Sequence, residues 1–171
     1  MRQVKIVSAA AVLALVVLPG LAGAGGDRPG AAVDRFFGAY RDASLEGMLA
    51  SYTPDAVFED VNQRHHFEGT EQLGQLLGQL VAMHLKMDVK EKRRAIDGNT
   101  VVVEYDYVGT LNGDVLGQIA GKENCPDLEY VLPTTSWYEI KDGKIVHQRD
   151  FIDWATFLEL REKMAAAGSG S

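Results

Sequence analysis

One cysteine, Cys125, stands in the whole 171-residue chain. That excludes a disulfide framework and redox chemistry through a CxxC pair. Basic side chains are scarce as well: 17 Lys plus Arg face 24 Asp plus Glu, a net charge of −7. Affinity for a phosphate backbone rests on a basic patch, and the chain offers none, so no nucleic-acid partner is expected. No phosphate loop, dinucleotide fingerprint or nucleophile elbow occurs. No spaced set of His and Cys completes a zinc site. The chemistry to be expected is therefore free of metal and cofactor.

What is present begins with an address. Arg2 and Lys5 precede an uncharged apolar run, Ile6–Leu18, ended by Pro19-Gly20 and followed by Ala22-Gly23-Ala24. That is the layout of a signal peptide cleaved after Ala24, and the run is short of the roughly 20 residues needed to span a bilayer permanently. Export to the periplasm or the medium is expected, with no permanent membrane span after cleavage. Loss of Arg2 and Lys5 takes the net charge from −7 to −9. Residues 25–30 read as a flexible leader, 31–165 as one domain and 166–171 as a disordered tail.

Within the domain, Val33, Phe36, Phe37 and Tyr40 have helical spacing. Ser44 caps a second helix that Pro54 follows, and Thr70 is the expected cap of a third carrying Leu73, Leu76, Leu77, Leu80 and Val81. A strand over 56–61 stands between the second and third. Four strand-like runs follow, 85–96, 100–111, 128–140 and 144–152, with hairpin turns at Asp97-Gly98 and Asp142-Gly143. A last helix starts near Asp153. Helices followed by a meander indicate an α+β fold. The expected core includes Val33, Phe37, Leu49, Leu76, Leu80, Val102 and Trp154. The long segment 112–127 reads as a loop, either a lid or a surface excursion.

Candidate chemistry lies on two strands. On 100–111, Glu104 and Asp106 share one face, and Val101, Val103, Tyr105 and Tyr107 the other. The apolar row is expected to be the surface of a homodimer, since monomers rarely expose such a patch. Asp150 lies among Phe151, Ile152 and Trp154, where desolvation raises a carboxyl pKa toward neutrality. Alternatively it pairs with Arg149 or Arg161. Asp153 reads as a helix cap. His65 is a candidate proton carrier, whereas the adjacent His66 is expected on the other face.

Tyr52–Asp60, Phe67–Leu73, Asp142–Ile145 and Arg149–Asp153 together resemble the nuclear transport factor 2-like superfamily, in particular SnoaL-like cyclases and limonene-epoxide hydrolases. The resemblance implies a cone-shaped curved antiparallel β-sheet wrapped around N-terminal helices, holding a small apolar ligand. It implies a catalytic role for Asp150, and for Asp106 as the second aspartate of the epoxide hydrolases, although Glu104 replaces their intervening arginine. Phe58 and Asp60 stand where those hydrolases hold water with Tyr and Asn. Asp60 matches the general base of ketosteroid isomerases, whose oxyanion tyrosine falls on Phe36, one helical turn before Tyr40. Asp150, Asp106 and Asp60 are thus the candidate catalytic residues. Tyr40, Phe58, Glu104, His65 and Trp137 are the candidate substrate contacts.

Two readings stay open. In one, the carboxylates share a pocket, one stays protonated, and the protein is an isomerase, cyclase or hydratase of a small apolar molecule. In the other, the same fold is a ligand-binding or assembly module without catalysis.

Overall fold

A computed structural model describes residues 28–123 and 125–167. The signal peptide expected at 1–24 lies outside them. The elements are α1 (Pro29–Arg41), α2 (Leu45–Ala50), β1 (Tyr52–Asp60), β2 (His65–Glu68), α3 (Gly69–Met83), β3 (His84–Asp97), β4 (Thr100–Leu111), α4 (Gly113–Ala120), β5 (Leu128–Lys141), β6 (Lys144–Ile152) and α5 (Trp154–Ala167).

Local chemistry explains most boundaries. Pro29 opens α1, where a missing N–H costs nothing, so α1 begins inside the expected leader. The Ser44 side chain accepts a hydrogen bond from Gly47 N at the start of α2. Asp142 and Gly143 both have positive φ, the backbone of a tight hairpin between β5 and β6. Asp153 caps α5 by accepting from Thr156 N at 2.7 Å, as expected. Three boundaries differ from expectation. Glu68, not Thr70, precedes α3, with no side-chain cap. The segment 112–127 contains α4, capped by Asn112 and closed by left-handed Gly121. Residues 166 and 167, assigned to the tail, belong to α5.

The six strands form one sheet in the order β2-β1-β6-β5-β4-β3. All neighbours are antiparallel except β1 and β6, which run parallel, so the expected antiparallel sheet is a mixed one. Between Tyr52 and Val57 the β1–β6 register shifts, and Pro54, which has no N–H for a ladder, lies in that stretch. β2 completes the sheet as a short edge strand that periodicity did not mark.

The main core lies between α1, α2 and α3 and the inner sheet face, with Phe36, Phe37, Tyr40, Tyr52, Tyr105 and Tyr138 as its aromatic centre. Val101, Val103 and Tyr105 are wholly buried here, and Tyr107 packs against them. The row assigned to a homodimer surface is therefore part of the core. Strand alternation then puts Val102, Glu104 and Asp106 on the outer face. Of the expected core, Val33 and Phe37 are buried, Leu49, Leu76, Leu80 and Val102 are partly so, and Trp154 is 39% exposed. A smaller core of Leu111, Leu116 and Cys125 is covered by Leu160 and Met164 of α5.

Candidate functional site

Asp150 is 2% exposed on the inner face of β6, and no cation approaches it among the described residues. Arg149, the partner expected as an alternative, points to the outer face and binds Glu59 at 2.9 Å. The partners of Asp150 are neutral. Its Oδ1 accepts from Ser136 Oγ and, at 2.8 Å, from Gln148 Nε2. Both donors follow from strand alternation: Gln148 lies two residues before Asp150, and Ser136 is its register partner on β5.

A second layer sets the direction of these bonds. Ser136 has one proton and gives it to the carboxylate, so the Tyr105 hydroxyl, 2.7 Å away, donates to Ser136. Gln148 turns its amide N–H to Asp150, and its carbonyl accepts from the Tyr52 hydroxyl. Two donor chains, one from Tyr52 and one from Tyr105, thus converge on Oδ1. Among the described residues Oδ2 has only a marginal 3.5 Å contact, from the Tyr107 hydroxyl. It is the oxygen open to a proton.

Burial dominates the acidity of Asp150, raising its pKa to about 6. Ser136, Gln148 and Tyr107 pull it down, and the nearby Asp60 pushes it up. Tyr40, Tyr52, Tyr105, Tyr107 and Tyr138 surround the carboxyl, and burial holds all five above the ordinary phenol value. They are proton donors, not phenolates. The Tyr138 hydroxyl, beside Ser136 and Tyr105, is buried and makes no hydrogen bond of good geometry among the described residues.

The sequence candidates separate into two groups. Asp60 is 5% exposed and faces Asp150 across the β1–β6 register. Its carboxylate is held by Gln63, through the backbone N–H at 3.0 Å and the side-chain amide. Tyr40 is buried with its ring on Tyr107, centroids 5.0 Å apart. Phe58 packs against the core and against Phe67. His65 stands opposite Asp60 on β2 but is exposed, with its ring near Phe67.

Asp106 and Glu104 do not join this group. On the outer face, Asp106 binds Lys92 at 2.6 Å and Glu104 binds Arg93. The expected cluster of four carboxylates is a pair, Asp60 and Asp150, because the inner side of β4 belongs to its valines and tyrosines. Trp137, expected in the pocket, is 49% exposed on the outer face for the same reason of parity. Among the described residues no group of three or more His, Cys, Asp or Glu is placed to hold a metal ion, and no helix is long and apolar enough to cross a membrane.

Sequence reasoning missed Ser136, Gln148, Tyr52 and Tyr138. The signal was the inward row of β5, Leu132-Thr134-Ser136-Tyr138-Ile140, which is half polar although wholly buried.

With this geometry in place, the family profile of the SnoaL-like domain matches residues 33–148. The chain belongs to the SnoaL-like domain family. This SnoaL-like protein is similar in fold to an LEH-like epoxide hydrolase of M. tuberculosis: 21% identity, TM-score 0.61, covering 81% of this chain and 94% of that one. It is similar to TerC, crystallised with polyporic acid, at 18% identity and TM-score 0.63, covering 78% and 98%. A hypothetical protein of Catenulispora acidiphila with a ketosteroid isomerase-like fold, in complex with trimethylamine, matches at 16% identity and TM-score 0.61, covering 75% and 89%. No curated protein sequence matches the chain.

Proposed function

We propose that this SnoaL-like protein is an acid–base enzyme, free of cofactor, that isomerises, cyclises or hydrates a small, largely apolar molecule. Asp150 carries the proton. The observation behind this reading is the asymmetry of its carboxyl group: Oδ1 is saturated by two neutral donor chains, while Oδ2 faces Tyr107 with hydrogen-bonding capacity to spare. A carboxyl with a pKa near neutrality is an efficient proton acceptor and donor at physiological pH. Asp60 supplies the second negative charge that disfavours ionisation of Asp150, and Tyr40 and Tyr107 supply phenolic donors beside it. The bound molecules of structural relatives, polyporic acid and trimethylamine, support a small ligand.

The test needs no knowledge of the natural substrate. A panel of apolar, enolisable ketones in D₂O reports proton transfer as hydrogen–deuterium exchange next to the carbonyl. Wild type should accelerate exchange in at least one member, and Asp150→Asn should lose about 10²- to 10⁴-fold of that rate. Equal exchange by both proteins, with the ketone bound equally well, would leave a binding module instead.

Export and assembly belong to the same proposal. The mature chain would begin at Gly25. A homodimer would form through the outer sheet face, where Val131, Trp137 and Phe151 are exposed by 53%, 49% and 37%.

A further inference from the structure

Tyr52 is the first residue of β1, 96 residues from Gln148 in sequence, and its hydroxyl donates to the Gln148 side chain. An irregularity of the sheet brings the two together. β1 runs from Tyr52 to Val57 while β6 advances only from Ile145 to His147, so β1 bulges between those points. The Ile145 N–H fixes the lower end of the bulge by donating to the Ser51 carbonyl at 2.9 Å. The Tyr52 ring is buried there, edge to face on Phe36 with centroids 5.5 Å apart. Tyr52, Gln148 and Asp150 thus form a hydrogen-bonded chain sealed from solvent, with Gln148 as its middle link.

The middle link is an amide, with donors at one end and an acceptor at the other. Ionised Asp150 only accepts, so the amide must show it an N–H, and the carbonyl is left to Tyr52. Protonation of Asp150 removes that constraint. A neutral carboxyl has a proton to give, and an amide turned over would take it from Oδ1. Turning over, however, would set an N–H against the Tyr52 hydroxyl and strand the Tyr52 proton. Among the described residues Gln148 is the only hydrogen-bond acceptor that this hydroxyl has. A buried donor without an acceptor is costly, so the amide keeps its orientation. Without the Tyr52 hydroxyl that preference is lost, since either orientation then leaves one end of the amide unpaired.

We propose that Tyr52 is a positioning residue: its hydroxyl proton holds the Gln148 amide with N–H toward Oδ1 in both protonation states of Asp150, which reserves Oδ2 for the proton that Asp150 exchanges. Ser136 donates to the same Oδ1 from β5, and Oδ2 is the oxygen that meets Tyr107. The functional weight rests on reading Asp150 as the working acid or base. The orientation of the amide does not. The Gln148 donor holds the pKa of Asp150 down, so loosening it moves the carboxyl titration to higher pH. The other titratable groups around Asp150 are Asp60 on β1, Tyr40 on α1, Tyr105 and Tyr107 on β4 and Tyr138 on β5. A change at Tyr52 leaves all of these in place.

The experiment reads the amide and the carboxyl without any substrate. The protein is labelled with ¹⁵N and with ¹³C at aspartate Cγ, and Gln148→Met and Asp150→Asn assign the two signals. In wild type a Gln148 amide proton should shift at the Asp150 midpoint and keep the same nuclear Overhauser contacts on both sides of it. In Tyr52→Phe the Asp150 midpoint should rise by about half a pH unit to one unit, the worth of one hydrogen bond. In the Gln148→Met background, Tyr52→Phe should add nothing, because the link between the two is gone. An unmoved midpoint in Tyr52→Phe, or an equal rise in the Gln148→Met background, overturns the proposal. If a variant fails to fold, wild type decides: amide protons that move against the Tyr52 ring once Asp150 is protonated have turned over, and the proposal falls. In the ketone exchange assay, the pH profile of Tyr52→Phe should move with the carboxyl midpoint. A profile that stays put while the midpoint moves counts against Asp150 as the proton carrier and leaves the action of Tyr52 on the amide standing.

Discussion

A buried carboxyl without a cation beside it makes stability depend on pH in a direction opposite to that of a salt-bridged aspartate. Asp150 has a folded pKa of about 6, above its unfolded value of about 3.9, so its contribution is fully present below the unfolded value and is lost as pH rises through about 6. The loss is about 3 kcal/mol. Asp150→Asn removes the titration. In urea melts, the stability of the variant relative to wild type should therefore rise between pH 4 and pH 7, and a constant difference would refute the assignment. Ser136→Ala removes a donor that holds the pKa down, so the ¹³C-carboxyl titration of Asp150 should move to higher pH. The sequence made Asp150 conspicuous as a lone acid in an aromatic setting. It could not show that its donors are a serine and a glutamine, residues that look solvent-facing until the parity of two paired strands is known.

Elements were more legible than the faces they present. Hairpin turns and strand limits on β4, β5 and β6 could be read nearly to the residue, because alternation and Asp-Gly turns are local signals. Which side of β4 faces inward is not local: it depends on α1, whose Phe37 packs on Tyr105 at 5.1 Å between centroids. An apolar row with two tyrosines fits a core and an interface equally well in one dimension. β2 and α4 were missed because four and eight residues carry too little periodicity. The β3–β4 pairing also has a tight point. A Cβ on Gly109 would lie 2.6 Å from the Lys86 carbonyl oxygen as well as on Tyr130. Gly109→Ala should cost about 1–3 kcal/mol in chemical unfolding, as overpacking does. A neutral substitution would mean that the two strands separate there more easily than their register implies.

Taken whole, the molecule buries its chemistry inside and leaves apolar side chains on the outer sheet. Light scattering at micromolar concentration should give a dimer, and Trp137→Asp a monomer of unchanged fold; a monomeric wild type would reject the outer face as an interface. Mass spectrometry of the exported protein should find Gly25 as the first residue. The strand order carries a different consequence, for assembly in time. β6 is the last strand to be made, yet it lies between β1 and β5. Until it arrives, the β1–β2 hairpin and the β3–β4–β5 meander are two separate sheets, and Asn62 waits for Ile152, 90 residues further on. Closure of that kind is slow, because the entropy of a long loop is lost before its contacts form. A chain threaded through a membrane as proposed would stay open until its end emerged. The buried surroundings of Asp150 would then form in the same event that joins the two half-sheets into one.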